Sequence, residues 1–241
     1  MIYKKTGAVF EEANQFERRA EEMAMRFFKE NASVRKAFTI IENGLSKKYP
    51  ELAKLYPEDI LPYHGESHSL DVLKEAMLFA MVEGQLSEHE LELLAIAAAY
   101  HDTGFTEQYD NNEELGAEIA RKNMESADGF SEEDIVRVQK AILGTKVKPG
   151  PSFSQMVEGD DLIGKILADA DVSSLGRDDF HVHMEKDFQE LVGIGKIATD
   201  TQENREKYFE STRQYFSGHK WQTEAARRLR AEKEQENFVK L

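Results

Sequence analysis

The stretch LELLAIAAAYHD, residues 91–102, is apolar on nearly every face until it stops at His101 and Asp102. A helix of that composition has no side to offer to water, so it belongs at the centre of the molecule. An imidazole and a carboxylate at the end of such a segment cost free energy unless something pairs with them. Upstream, Ser87 with Glu90 three residues later is a capping-box signal for the start of this helix. Downstream, Gly104 lets the chain turn.

Two further segments repeat the pattern of polar groups beside apolar ones. Tyr63-His64-Gly65-Glu66-Ser67-His68 precedes an apolar helix, and Asp169-Ala170-Asp171 closes another. One divalent metal would relieve the cost of all three, because imidazole suits several transition metals and carboxylate suits harder ions as well. His64 and His68 would share a face if one helix carried both. Adjacent helical residues point about 100° apart, so His101 and Asp102 can meet one ion only at a distorted helix end or with the ion offset. The ordinary alternative for His101 is a histidine interacting with the helix dipole.

Outward from these segments the 3.6-residue period dominates. Phe10, Ala13, Phe16, Ala20, Met23 and Phe27 mark an amphipathic helix over 10–30. Val34, Phe38, Ile41 and Leu45 mark a second, from Ser33 to Lys48, and Pro50, Pro57 and Pro62 punctuate the connection that follows. A helix from Ser67 to about Gly84, one from Asn112 to Ser126 with Leu115, Ile119 and Met124 inward, one after the acidic turn Ser131–Asp134, and one over Asp161–Asp171 complete the middle. Residues 178–241 are helical in pattern and rich in aromatic residues. No alternating strand of useful length occurs. The reading is all-α and a single domain over 1–241: N-terminal helices over 1–55, a core over 56–180, and C-terminal helices over 181–241.

Composition narrows the function. With no cysteine among 241 residues, disulfides and zinc-thiolate sites are excluded. A net charge of −15 discourages association with bulk nucleic acid or anionic lipid. Acidic residues interrupt the N-terminal segment where a signal peptide would be apolar, and no window approaches the roughly 20 apolar residues of a membrane span. The expectation is a cytoplasmic protein with a small-molecule partner, its aromatic tail packing on the core or on a second subunit of a homodimer.

In order, these segments resemble the HD-domain superfamily of metal-dependent phosphohydrolases. YHGESHSLDV (63–72) is similar to the tyrosine-histidine-x-x-x-histidine element of cyclic-nucleotide phosphodiesterases and their bacterial relatives. AAAYHDTG (97–104) contains the name-giving dipeptide, and ILADADVSSLGRDDF (166–180) resembles the downstream aspartate segment. The resemblance spans residues 60–180, continues into the tail 215–241, where it points to a bacterial branch of HD phosphohydrolases, and leaves the first 50 residues largely uncovered. It implies an HD-domain helical bundle with helical extensions at both ends. It also implies His68, His101, Asp102 and Asp171 as metal ligands, with Asp102 able to bridge a second ion or accept a water's proton. Asp169 would support a ligand or water, and His64 would donate a proton to the leaving oxygen. The ion would be Mn, Mg, Fe, Ni, Co or Zn. Some dinuclear relatives add histidines between the HD dipeptide and the last aspartate; here none lies between His101 and His181, so one firmly held metal is expected, with room for a second.

Lys146 and Arg177, each a cation near one of these segments, are the candidates for gripping a phosphate. Glu114 could contact a metal-bound water. Phe105 and Tyr109 could stack on a nucleobase, although packing is the commoner role. His89, His181, His183 and His219 read as ordinary. The function expected is hydrolysis of a small phosphate ester such as a nucleotide or cyclic nucleotide, with an iron oxygenase or a silent nucleotide sensor on the same scaffold as alternatives.

Overall fold

The computed structural model describes the backbone of residues 7–148 and 154–241, and side chains over 15–148 and 155–241. The N-terminal half contains α1 (Gly7–Glu30), α2 (Ala32–Lys48), α3 (Pro50–Leu55), α4 (Glu66–Glu83), α5 (Glu88–Tyr100) and α6 (Asn112–Glu125). The C-terminal half contains α7 (Glu132–Thr145), α8 (Leu162–Asp171), α9 (Phe180–Gly193), α10 (Gln202–Gly218) and α11 (Glu224–Lys240). Single 3₁₀ turns follow α5 (Thr103–Thr106) and α8 (Ser173–Gly176). The fold is all-α. Its strands, β1 (Val147–Lys148) and β2 (Ser154–Gln155), are two residues each and pair antiparallel across the loop between α7 and α8.

Helix α5 is the axis around which the others pack. Every residue from Leu93 to Tyr100 is fully buried, as a helix without a polar face requires. Ser87 and Glu90 form the expected capping box, and Gly84 ends α4 in the left-handed conformation. Helices α1, α2, α4, α6, α7 and α8 surround α5, and α11 closes over α4, α8 and the second 3₁₀ turn. The core so formed draws on residues from Ala20 to Ala226. No described helix is long and apolar enough to cross a membrane.

Three local expectations need correction. The connection after Lys48 contains a helix, α3, with Pro50 at its start, where the missing N–H costs nothing. The inward face of α6 is Gly116, Ala117, Ala120 and Met124, while Leu115 and Ile119 are only half-buried. Small residues are needed there because a β-carbon on Gly116 would stand 2.8 Å from the His101 carbonyl oxygen. Gly104 has no left-handed backbone; its role is close approach, since a β-carbon would fall 1.8 Å from the Asn112 carbonyl oxygen. The side chains of Phe10 and Ala13 lie outside the described residues.

Gly104→Ala should therefore force α6 away from the end of α5. We expect a loss of about 2–4 kcal/mol, read as a lower urea midpoint, the scale of severe overpacking. A variant with wild-type stability would show that this contact relaxes freely.

Candidate metal centre

Three helix ends deliver four side chains to one point. His68 comes from the first turn of α4, His101 and Asp102 from the end of α5, and Asp171 from the last residue of α8. The His68 and His101 Nε2 atoms are 3.4 Å apart. Asp171 Oδ1 lies 3.2 Å from the first and 3.5 Å from the second. Asp102 Oδ2 lies 3.5 Å from His68 Nε2 and 3.1 Å from His101 Nε2. The helix end is distorted in the way that sharing one ion demands: His101 keeps helical angles while Asp102 moves to φ −102°, ψ 4° and begins the 3₁₀ turn.

Two details fit this cluster to a cation. His101 Nδ1 is 2.8 Å from the Ala98 carbonyl oxygen, which can only accept, so Nδ1 donates and Nε2 is the ring nitrogen left facing the cluster. Asp102 Oδ2 is buried without a hydrogen-bond donor, although Oδ1 accepts from Asn112 Nδ2 at 3.4 Å. Each imidazole Nε2 lies within 3.5 Å of both carboxylates, a spacing that one shared cation can bridge. In the chain's own field, burial opposes ionisation of Asp102, but His101 outweighs it and holds the carboxyl below its usual range. Burial likewise opposes charge on Asp171, and bonding to His101 and His68 holds it far below that range. Burial opposes the His101 imidazolium, while Asp102 and Asp171 raise its pKa well above the ordinary value.

His64 stands beside this group, upstream of α4 rather than on it, because Gly65 caps the helix. Its Nδ1 is 2.6 Å from Oε1 of Glu190, a fully buried residue of α9. Glu190 Oε2 also accepts the backbone N–H groups of Tyr63 and His64, each at 2.9 Å, and Oε1 accepts the Tyr109 hydroxyl at 2.9 Å. Burial opposes protonation of His64, yet Glu190 outweighs it, and the imidazole pKa is raised to about 10. Phe105 stacks on the ring at 4.5 Å. A cavity of about 400 Å³ opens against His64 and Asp171, with Leu175, Met184, Asp187 and Tyr208 among its walls.

Residues 65–175 match the family model of the HD domain. This segment is an HD domain. Its His68, His101 and Asp102 cluster fits the metal site of such a domain. No curated protein and no solved structure matches the chain.

The remaining candidates sit around the HD domain in other relationships. Asp169 accepts the N–H groups of Gln222 and Thr223 at 2.7 and 2.8 Å and the Thr223 hydroxyl at 2.6 Å, so it anchors the start of α11. Lys146 and Glu114 are ion-paired to each other, and Lys146 also donates to Asn111 Oδ1 at 3.0 Å. Arg177 forms a fork on Asp179 at 3.0 and 2.6 Å and reaches Asp71 at 2.6 Å, beside a different cavity that it shares with Arg230 and Lys233. None of Asp169, Lys146, Glu114 and Arg177 lines the cavity at His64. Phe105 and Tyr109 serve His64 and Glu190 and do not line it either. His89 pairs with Asp134 at 2.8 Å and the buried His219 with Glu234 at 2.5 Å.

Glu190 and Asp187 were invisible to sequence reading. They lie past the last motif, and Glu190 meets His64 across 126 residues of chain. The available hint was an acidic residue beside Phe188, Leu191 and Val192, too common a pattern to single out.

Asp169→Ala would leave the half-buried N–H of Gln222 and the buried N–H of Thr223 without their acceptor. We expect a loss of about 2–4 kcal/mol with earlier proteolysis in the tail, and wild-type protection of the tail would contradict the anchoring role.

Proposed function

We propose that this protein is a metal-dependent phosphohydrolase that cleaves a small phosphate ester, a nucleotide or cyclic nucleotide among the candidates, with water as the attacking group. The observation that carries the reading is the convergence of His68, His101, Asp102 and Asp171, with the buried Asp102 Oδ2 lacking a donor. These four would hold a divalent ion. When bound, such an ion lowers the pKa of a water molecule and polarises a phosphoryl oxygen. Two imidazoles beside two carboxylates favour Mn, Fe, Co, Ni or Zn over Mg. One ion matches this donor set, since no further histidine joins it among the described residues.

The chain's own contribution to the second half of the reaction is a proton. Glu190 orients His64 through Nδ1 and keeps it protonated at neutral pH. Its Nε2–H is then the group available to a departing alkoxide, which is too basic to leave unassisted. Phe105 and Tyr109 pack around this pair and limit its exposure to water.

The test adds each of these metals to chelator-treated protein and screens a panel of phosphomonoesters and phosphodiesters. Metal-dependent phosphate release is the expected outcome. Oxygen uptake with ferrous iron would instead assign an oxygenase, and ligand-induced thermal stabilisation without turnover would assign a sensor. His64→Asn should keep full metal content while kcat falls about 10²- to 10⁴-fold. Undiminished kcat would remove His64 from the mechanism.

A further inference from the structure

The charges around the cavity at His64 leave one group unaccounted for. No lysine or arginine lines it among the described residues. His64 is balanced by Glu190, and a bound dication would be balanced by Asp102 and Asp171. His183, on the same wall, is held below its ordinary pKa by burial, so it adds no cation at neutral pH. What remains is the carboxylate of Asp187.

Helix α9 places Asp187 between Met184 and Leu191, which lie three residues before it and four after, so all three face the cavity. Glu190, three residues on, turns to His64. One face of α9 thus carries both the orienting carboxylate and the spare one. The Tyr208 hydroxyl donates to Asp187 Oδ2 at 2.8 Å and fixes the direction of the carboxylate. Val172, Leu175 and Phe180 supply apolar wall beside it.

We propose that Asp187 is a specificity-determining residue: the substrate is an organic monophosphate whose alcohol portion carries a nitrogen hydrogen-bond donor, accepted by the Asp187 carboxylate. The proposal rests on the hydrolase reading of the metal centre. A polyphosphate chain would bring several negative charges into a cavity whose spare charge has the same sign and which offers it no basic side chain. A carbon skeleton meets apolar wall, and an amine or amide N–H meets an acceptor. An analogue lacking that nitrogen leaves the acceptor desolvated and unpaired, which makes discrimination steep. An alkylamine and a nucleobase amino group share this chemistry.

The experiment uses the full chain loaded with its activating metal and two matched pairs: aminobutyl against butyl phosphate, and adenosine monophosphate against purine riboside monophosphate. Adenosine triphosphate is the charge control. The nitrogen-bearing member of at least one pair should have a kcat/KM about 10- to 100-fold higher, the scale of one charge-assisted hydrogen bond. Asp187→Asn should bring that pair to near parity. Tyr208→Phe, which keeps the carboxylate but frees its direction, should weaken the preference without removing it, and circular dichroism checks that Asp187→Asn is folded. Which pair responds tells an alkylamine from a nucleobase. Turnover of every ester without preference, a preference untouched by Asp187→Asn, or a triphosphate processed faster than the monophosphate would overturn the proposal and leave the hydrolase reading intact. If no phosphoester turns over with any metal, the hydrolase reading fails. Calorimetric titration of adenosine and purine riboside, and of aminobutanol and butanol, onto metal-free wild type and Asp187→Asn then decides Asp187 alone: discrimination lost in the variant supports it, and equal binding overturns it.

Discussion

His101→Ala is expected to abolish stoichiometric metal binding and to lower metal-dependent phosphate release by about 10³-fold or more. His101 is wholly buried and lies within 3.5 Å of three other donor atoms. Its removal leaves one imidazole and two carboxylates around a space no side chain can refill. Elemental analysis after dialysis reads the loss directly. A second readout is independent of turnover. In the wild type, metal at 1,000 times its Kd should stabilise the fold by about 4 kcal/mol, and that increment should vanish in the variant. Circular dichroism of the metal-free proteins separates loss of ligand from loss of fold. A correctly folded His101→Ala that retained one tightly bound ion would sink the assignment of the centre.

Glu190→Gln is expected to act on both stability and pH dependence. The substitution keeps the size of the side chain but leaves His64 with burial, which disfavours its charged form, and without its largest supporting charge. The imidazole pKa should then fall from about 10 toward or below its ordinary 6.5. The alkaline limb of the kcat profile should move down with it, so that at pH 8 the variant is about 10²-fold slower while at pH 5 the deficit is smaller. The folded pKa of His64 is raised, so its contribution to stability is complete below 6.5 and disappears as pH climbs through about 10. The folded pKa of Glu190 is lowered despite burial, because His64 outweighs it, so its contribution is present above 4.5 and is lost as the solution is acidified. Wild type should show a plateau between these limits. The variant should lack it, at a cost of about 3–5 kcal/mol for breaking a buried pair. A pH profile unchanged by Glu190→Gln would show that Glu190 does not set the state of His64.

The residues that carried the reading show why some features were legible. Leu93 to Tyr100 is buried because a wholly apolar helix has one place to go, and that follows from composition. The three polar segments are legible because each stands at the edge of an apolar helix, where a polar group needs a partner, and the resemblance to HD domains singles out His68, His101, Asp102 and Asp171 within them. Charge and proximity along the chain are all that point to Lys146, Glu114 and Arg177. In the folded protein Lys146 and Glu114 pair with each other and Arg177 pairs with Asp71 and Asp179, because an acidic protein offers carboxylates to every cation nearby. The resemblance to HD domains implies that Asp169 supports a metal ligand or water. Its carboxylate points instead to the 222–223 turn, since residues two apart on a helix face different sides.

By itself the sequence determined the all-α architecture, the central position of α5 and the order of the segments that meet at the candidate metal centre, because periodicity, apolarity and capping are local properties of a chain. The tertiary structure alone decided that Glu190 holds His64, that Asp187 faces the cavity, and that the expected phosphate grips are engaged elsewhere. Those pairings join residues as far as 127 positions apart. Coulombic attraction and burial act through space, and only the packed helices set the distances on which both depend.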